Sequence, residues 1–296
     1  MQHKIQLLTY LLVWVGILAA LSYCAVCILI FLQQPRFIFF PSSIIETTPT
    51  FLNLHYEEVW LPVKIKSHQV EYIHGWWLKP NQSNGKVILY LHGNGINIGA
   101  NITHASRFSQ LGFSVLLIDY RGYGRSQGRF PNEKRVCEDA AIAWNYLVQQ
   151  RKIAPSQIFI YGHSLGGAIA IDLAIKQPNA AGLIVESSFT SIRQVVAYRN
   201  IFRMFPVDLI LTQRFDSIQK VPQLKMPVLF IHGVSDVTIP AFMSEELYDA
   251  APKLKKLLLV PGAGHNNVAE VASVEYLQAV LFFCNRLCEG EDKVIE

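Results

Sequence analysis

The chain has 296 residues, 51% of them hydrophobic and 16% charged, with a formal net charge of +4 and a mean hydropathy of +0.25. This composition excludes intrinsic disorder and makes a bilayer-crossing segment worth seeking. The 26 Lys and Arg residues form no long basic run, which excludes the electrostatic footprint of a nucleic-acid binder. The five cysteines are Cys24, Cys27, Cys137, Cys284 and Cys288. Their odd number argues against a disulfide framework, and no Cys/His spacing suggests zinc.

From Ile5 to Leu32 no residue is charged. As a helix this stretch rises about 40 Å, enough to cross a hydrocarbon core of about 30 Å. A cleaved signal peptide carries an apolar region of only about 7 to 15 residues, and Tyr23 before Cys24 is too bulky for a lipoprotein cleavage box. One retained transmembrane anchor over residues 1–34 is therefore expected, with Arg36, Phe37, Phe39 and Phe40 as its interfacial flank. Lys4 and the α-amine outnumber Arg36 among the flanking basic groups. By the positive-inside rule that places the rest of the chain on the non-cytoplasmic side.

After Pro41 short β-branched runs alternate with amphipathic stretches, the pattern of βα units and a mainly parallel sheet. Eight strands are predicted, over Tyr56–Leu61, Val70–Leu78, Val87–Leu91, Ser114–Ile118, Ile158–Tyr161, Leu183–Glu186, Val228–His232 and Lys256–Val260. Helical periodicity marks Ile98–Leu111, Glu133–Gln150, Leu165–Lys176, Ser244–Ala251 and Val271–Leu287. No helix separates the first two strands, so an antiparallel hairpin is expected at that edge. One domain over residues 35–296 accommodates these elements. The insertion at about 189–225, between the sixth and seventh strands, fits no sheet unit.

Gly162-His163-Ser164-Leu165-Gly166 follows a predicted strand and opens a predicted helix, the setting in which a G-x-S-x-G motif carries meaning. A serine hydroxyl becomes a nucleophile only when held toward substrate and deprotonated by a neighbour, and the glycines relieve crowding on the sharp turn that exposes it. Nine histidines compete for the role of base. His265 stands in the glycine-rich loop Pro261-Gly262-Ala263-Gly264 after the last strand, beyond the sheet's C-terminal edge. His92 and His232 precede glycines at strand ends and read as loop buttresses, His163 is pinned beside the nucleophile, and His55, His68, His74 and His104 have no catalytic context. A base of this kind needs a carboxylate to hold its tautomer. Asp236 lies in the loop after the seventh strand, and Glu186, at the end of the sixth, is the alternative acid. Acyl transfer also needs backbone N–H donors for the developing oxyanion. Leu165, just after the serine, supplies one, and His92-Gly93-Asn94-Gly95 supplies the other through Asn94, with Gly95 as alternate. The loop Asp119 to Ser126 reads as a wall that Arg121 and its glycines brace.

Together His92-Gly93-Asn94-Gly95, the Asp119 to Ser126 loop, Gly162 to Gly167, His232-Gly233-x-x-Asp236 and Gly264-His265 resemble the α/β-hydrolase superfamily. More narrowly, they resemble its single-pass abhydrolase-domain proteins, often labelled serine-aminopeptidase-like hydrolases. The resemblance runs from about Pro35 to Leu287 and includes Phe39-Phe40-Pro41; its main departure is Gly95, where relatives frequently carry alanine. It implies an α/β-hydrolase fold, an eight-stranded mostly parallel sheet with helices on both faces and a short cap at 189–225. It also implies a base after the last strand in the order Ser, Asp, His, esterase, thioesterase or lipase activity, and no metal or organic cofactor.

The expected function is hydrolysis of carboxylic esters or thioesters through an acyl-enzyme on Ser164, Asp236 and His265. A peptidase is the alternative, without an identifiable acidic pocket for a free amino terminus. The intact Ser, Asp, His set argues against a silent scaffold, and dehalogenase chemistry would put Asp where Ser164 stands. The expected partners are a small-molecule ester or acyl lipid and, through the N-terminal helix, the membrane. Within the cap, Ile192 to Leu211 mixes Val195, Val196, Tyr198, Ile201, Phe202, Met204 and Phe205 with Arg193, Arg199 and Arg203. One helix there would turn apolar side chains to the pocket and cations to lipid phosphates, and packing of the cap on the core explains the same apolar residues equally well.

Overall fold

The computed structural model describes residues 1–66, 69–200 and 202–287; His68, Ile201 and Cys288 lie outside them. The eight strands are β1 (His55–Lys66), β2 (Gln69–Lys79), β3 (Val87–Leu91), β4 (Ser114–Ile118), β5 (Ile158–His163), β6 (Gly182–Glu186), β7 (Val228–Gly233) and β8 (Lys255–Val260). They form one sheet in the order β8-β7-β6-β5-β3-β4-β2-β1. From β8 to β4 neighbours are parallel. β2 runs antiparallel to β4 and to β1, which gives the expected edge hairpin. β3, β6 and β7 are buried along their whole length, because helices cover both faces of a parallel sheet. β1 instead alternates buried Val59, Leu61 and Val63 with exposed Trp60, Pro62 and Lys64, the period of a strand with one wet face, and Pro62 is tolerated on an edge.

On one face α3 (Glu133–Asn145) and α4 (Leu165–Lys176) pack through Val136, Trp144, Ile169 and Leu173 against Leu89, Ile160 and Val185. On the other, α2 (Ile102–Gln110) and a C-terminal helix (Val274–Phe282) pack through Phe108, Tyr276 and Val280 against Tyr90, Tyr161 and Ile231. The last predicted helix is divided: Val268–Ala272 is separated from Val274–Phe282 by Ser273, whose φ of 45° is left-handed. Cys24, Cys27 and Cys137 are free thiols and Cys284 is buried.

The N-terminal helix, α1, is long and apolar enough to cross a membrane, and it runs from Gln2 to Ile38, past the expected end at residue 34. Pro35 has no amide to give the Phe31 carbonyl one turn back; Gln34 Nε2 donates to that carbonyl instead at 3.2 Å, so the helix continues. Gln34 is the buried residue of α1. Beyond it Phe40–Pro41 pairs in parallel with Gly95–Ile96, joining the helix exit to the loop after β3.

The segment between β6 and β7 departs from one helix over Ile192–Leu211. α5 covers Ile192–Arg199 and stops at Asn200, which is left-handed at φ 57°. Val207–Ile210 and Ser217–Lys220 are single turns. The break is local, since an αL residue ends a helix and Pro206 prevents a continuous one.

Candidate active site

In chain order β3 precedes β4 and β5 yet lies between them in the sheet, so the strand order reverses at β3 and opens a crevice at the C-terminal edge. β5 ends there and turns directly into α4 at Ser164, whose backbone sits at φ 53°, ψ −119°. A non-glycine residue in that region stores strain, tolerated when its surroundings over-determine it. The surroundings do so by contact: a Cβ on Gly162 would lie 2.2 Å from the Gly166 carbonyl oxygen, and one on Gly166 would lie 2.0 Å from that of Leu91. The Ser164 amide donates to the Glu186 carbonyl at 2.8 Å, and the Ser188 hydroxyl donates to the Ser164 carbonyl at 2.8 Å.

Ser164, His265 and Asp236, from loops far apart in sequence, meet in one hydrogen-bonded chain. Ser164 Oγ lies 3.0 Å from His265 Nε2, and His265 Nδ1 lies 2.6 Å from Asp236 Oδ2. With Nδ1–H donating to the carboxylate, Nε2 carries the lone pair facing the serine hydroxyl. Asp236 Oδ1 accepts from the amides of Thr238 and Ile239 at 2.7 and 2.9 Å. His232 donates from Nε2 to Asp236 Oδ2 at 3.2 Å and to the Ile239 carbonyl at 2.9 Å, while its Nδ1 accepts from Ser244 Oγ at 2.6 Å. Burial alone would raise the Asp236 carboxyl; the hydrogen bonds from His232 and His265 reverse this and hold it well below the usual carboxylate range. Expected only to brace a loop, His232 in fact grips this carboxylate; its place four residues before Asp236 is the local signal.

Glu186, the alternative acid, stands elsewhere. Its Oε2 accepts from Tyr161 and Tyr276 at 3.0 and 2.8 Å, and its Oε1 lies 3.4 Å from His104 Nε2. Burial pushes the group up, but the charge and hydrogen bond of His104, helped by His163 and Tyr276, hold it down to about 2. His104 thus shares the cavity wall, although α2 offers no motif to mark it. His163 donates to the His265 carbonyl at 3.0 Å, and burial pushes its own imidazole down to about 4.

Leu165 is the first residue of α4, where helix amides have no intrahelical acceptor. Across the cavity the peptide planes around Asn94 are held on both sides. Gly93 O accepts from His92 Nδ1 at 2.7 Å, and Asn94 O accepts from Tyr123 Oη at 2.7 Å and from the Phe40 amide at 2.9 Å. Arg121 braces the neighbouring wall, pairing with Asp139 at 2.6 Å and Glu138 at 2.8 Å.

Ser164, Leu165, Asn94, Glu186 and His265 line a cavity of about 810 Å³. Its lining includes the polar Tyr90, Asn101, His104 and Glu186. It also has an apolar flank of Phe37, Ile38 and Phe40 from the α1 exit with Phe189, Val195 and Phe202, beside Arg199; Phe37 meets Phe202 at 6.4 Å between ring centroids. Among the described residues no group of three or more His, Cys, Asp or Glu side chains is arranged to hold a metal.

A family model described as "Serine aminopeptidase, S33" matches residues 82–208, a span that takes in Asn94, Ser164, Leu165 and Glu186. An uncharacterized protein of Mycobacterium tuberculosis is 35% identical over 256 residues, covering 84% of this chain and 86% of that protein. The α/β-hydrolase domain-containing protein WAV2 of Arabidopsis thaliana is 30% identical over 218 residues, 69% of each chain. The lysophosphatidylserine lipase ABHD12 of Danio rerio is 35% identical over 201 residues, 62% of this chain and 51% of that one. Among solved structures, an esterase of Pyrococcus furiosus superposes with a TM-score of 0.69 at 19% identity, over 84% of this chain and 98% of the other. By fold and by these relatives, the chain belongs to the α/β-hydrolase superfamily.

Proposed function

We propose that the protein is a membrane-anchored serine hydrolase that cleaves carboxylic esters or thioesters, acyl lipids among them. The observation that carries this reading is the chain Ser164 Oγ, His265, Asp236 at 3.0 and 2.6 Å, whose Ser164 and His265 line a cavity with an apolar flank. His265 Nε2 takes the Ser164 proton as Oγ attacks the carbonyl carbon. Negative charge develops on the carbonyl oxygen, where the amides of Leu165 and Asn94 receive it. His265 returns the proton to the departing alcohol or thiol, leaving an acyl group on Ser164. Water, deprotonated by the same imidazole, then releases the acid. Asp236 holds the tautomer and offsets the imidazolium charge. The reaction as drawn draws on no metal or organic cofactor.

In this reading residues 1–34 serve as the anchor, residues 35–296 as the catalytic domain and 189–225 as its cap, with the catalytic domain on the non-cytoplasmic side. The lipase relative and the esterase neighbour support an ester or lipid substrate. The test is labelling by a fluorophosphonate probe followed by turnover of esters of graded acyl length. Labelling lost in Ser164→Ala supports the assignment; ester hydrolysis by a folded Ser164→Ala protein at the wild-type rate removes it.

One observation favours a second reading. Glu186 is an anion in the cavity wall, the feature a peptidase needs for a free amino terminus. Its oxygens already meet two tyrosine hydroxyls and His104, so the ester reading is preferred. Faster turnover of aminoacyl anilides than of matched esters would reverse that order.

A further inference from the structure

α1 makes more polar contact with the cavity than a tether needs. Gln34 sits 5% exposed at the end of an apolar helix, and its amide is fully engaged. Nε2 donates to the carbonyls of Phe31 and Ile210; Oε1 accepts from the amide of Thr212 at 2.8 Å, from its hydroxyl at 3.2 Å and from the amide of Gln213 at 3.3 Å. The next residue, Arg214, accepts from the Ile192 amide at 3.0 Å, and Ile192 begins α5, whose Val195 and Val196 face the cavity. Gln34 is thereby connected through three cap residues to the apolar flank.

The other side of the exit holds the loop facing Ser164. Asn94 Nδ2 donates to the Ile38 carbonyl at 2.8 Å, and the Phe40 amide donates to Asn94 O at 2.9 Å. Between these clamps Phe39, 1% exposed, packs on Phe215 of the cap at 6.2 Å between ring centroids. The cap also reaches back along α1: Tyr23 Oη donates to the Met204 carbonyl at 2.7 Å, and its ring stacks on Phe205 at 5.9 Å. Tyr23 precedes Gln34 by about 16 Å of helix rise, inside the charge-free stretch, and beside this contact Met204 and Leu209 are 74% and 84% exposed. An exposed apolar tip lying along a membrane helix fits the acyl region of a lipid leaflet.

We propose that residues 34–40 are positioning elements of the hydrolytic site, Gln34 setting the cap and Ile38 with Phe40 setting the Asn94 loop, so that the apolar flank opens toward the leaflet in which α1 is seated. The inference rests on the reading of Ser164 as the nucleophile of acyl-ester hydrolysis.

The full-length protein in phosphatidylcholine vesicles is assayed on monooleoylglycerol held in the bilayer and on soluble p-nitrophenyl acetate, as wild type, Gln34→Ala and Tyr23→Phe. Gln34→Ala is expected to raise KM for the bilayer ester about tenfold, the effect of losing several hydrogen bonds to backbone, with kcat and acetate turnover kept within about twofold. Tyr23→Phe, which removes only the hydroxyl at the cap tip, is expected to shift the same KM in the same direction by a smaller factor. Trypsin cleavage after Arg199 or Arg203 reads the seating of the cap independently of activity and should be faster in both variants. An unchanged KM with unchanged cleavage, or an equal loss on both substrates, overturns the proposal. If the wild type hydrolyses neither ester, the ester reading fails, and the trypsin comparison alone then decides whether Gln34 holds the cap.

Discussion

His232 and His265 grip the same oxygen of Asp236, at 3.2 and 2.6 Å. The carboxylate is thereby fixed from behind by one imidazole while it orients the other. His232→Ala should therefore reduce kcat with little change in KM. A hydrogen bond to a charged group contributes about 1.5–3 kcal/mol, so the reduction is on the order of 10- to 100-fold. Steady-state kinetics on a soluble ester checks this, and wild-type kcat in the variant would show that the Thr238 and Ile239 amides suffice to orient Asp236.

The two acids should separate cleanly by mutation. Asp236→Asn presents the wrong partner to His265 Nδ1 and should lower turnover by up to about 10,000-fold. Glu186→Gln, whose contacts are Tyr161, Tyr276 and His104, should lower it far less. If Glu186→Gln proved the more damaging change, the two carboxylates would have to exchange roles.

Acid should act through Glu186 in a defined window. Its carboxyl is held at about 2 against an ordinary 4.5, so below pH 4.5 the unfolded chain binds the proton more readily than the folded one. The resulting stability is fully present above pH 4.5 and is lost as pH falls toward 2. Its ceiling is about 3 kcal/mol at about 1.4 kcal/mol per pKa unit. Glu186→Gln should have a lower Tm at pH 7, and the gap from wild type should narrow as pH drops below 4.5. A gap that stayed constant from pH 7 to pH 3 would show that the charge contributes nothing.

Two glycines of the site should respond oppositely to alanine. At Gly166 a Cβ would stand 2.0 Å from the Leu91 carbonyl oxygen, whereas at Gly95 it would meet nothing within 4 Å. Gly166→Ala should fail to fold or lose several degrees of Tm, a backbone clash being among the strongly destabilising changes. Gly95→Ala should fold and keep its activity. Expression yield, Tm and ester turnover of the two variants provide the comparison.

The orientation proposed for α1 predicts the outcome of proteolysis on intact cells. External protease should digest the catalytic domain and leave an N-terminal tag protected. An accessible tag with a protected domain would invert the topology.

Much was legible from residues alone. The alternation of β-branched runs and amphipathic stretches encodes the eight strands: burial on both faces demands continuous apolar runs in β3, β6 and β7, and one wet face leaves an alternating pattern in β1. Gly162, Gly166 and Gly167 mark the turn because close neighbours leave no room for a Cβ at these three positions, a constraint written in adjacent residues. The convergence of His265 and Asp236 on Ser164 is legible in their places after β8 and β7, since a parallel sheet delivers every such loop to one edge. What only the tertiary structure decided are contacts between residues far apart in sequence and carried by no motif. Nothing near Gln34 announces that it will hold the carbonyl freed by Pro35 together with the backbone of Thr212 and Gln213. The entry of His104 and Glu186 into one cavity wall likewise depends on how α2 packs against β5 and β6. A hydrogen bond needs positions within about 3 Å, and between segments this far apart in the chain only the packed fold brings the partners that close.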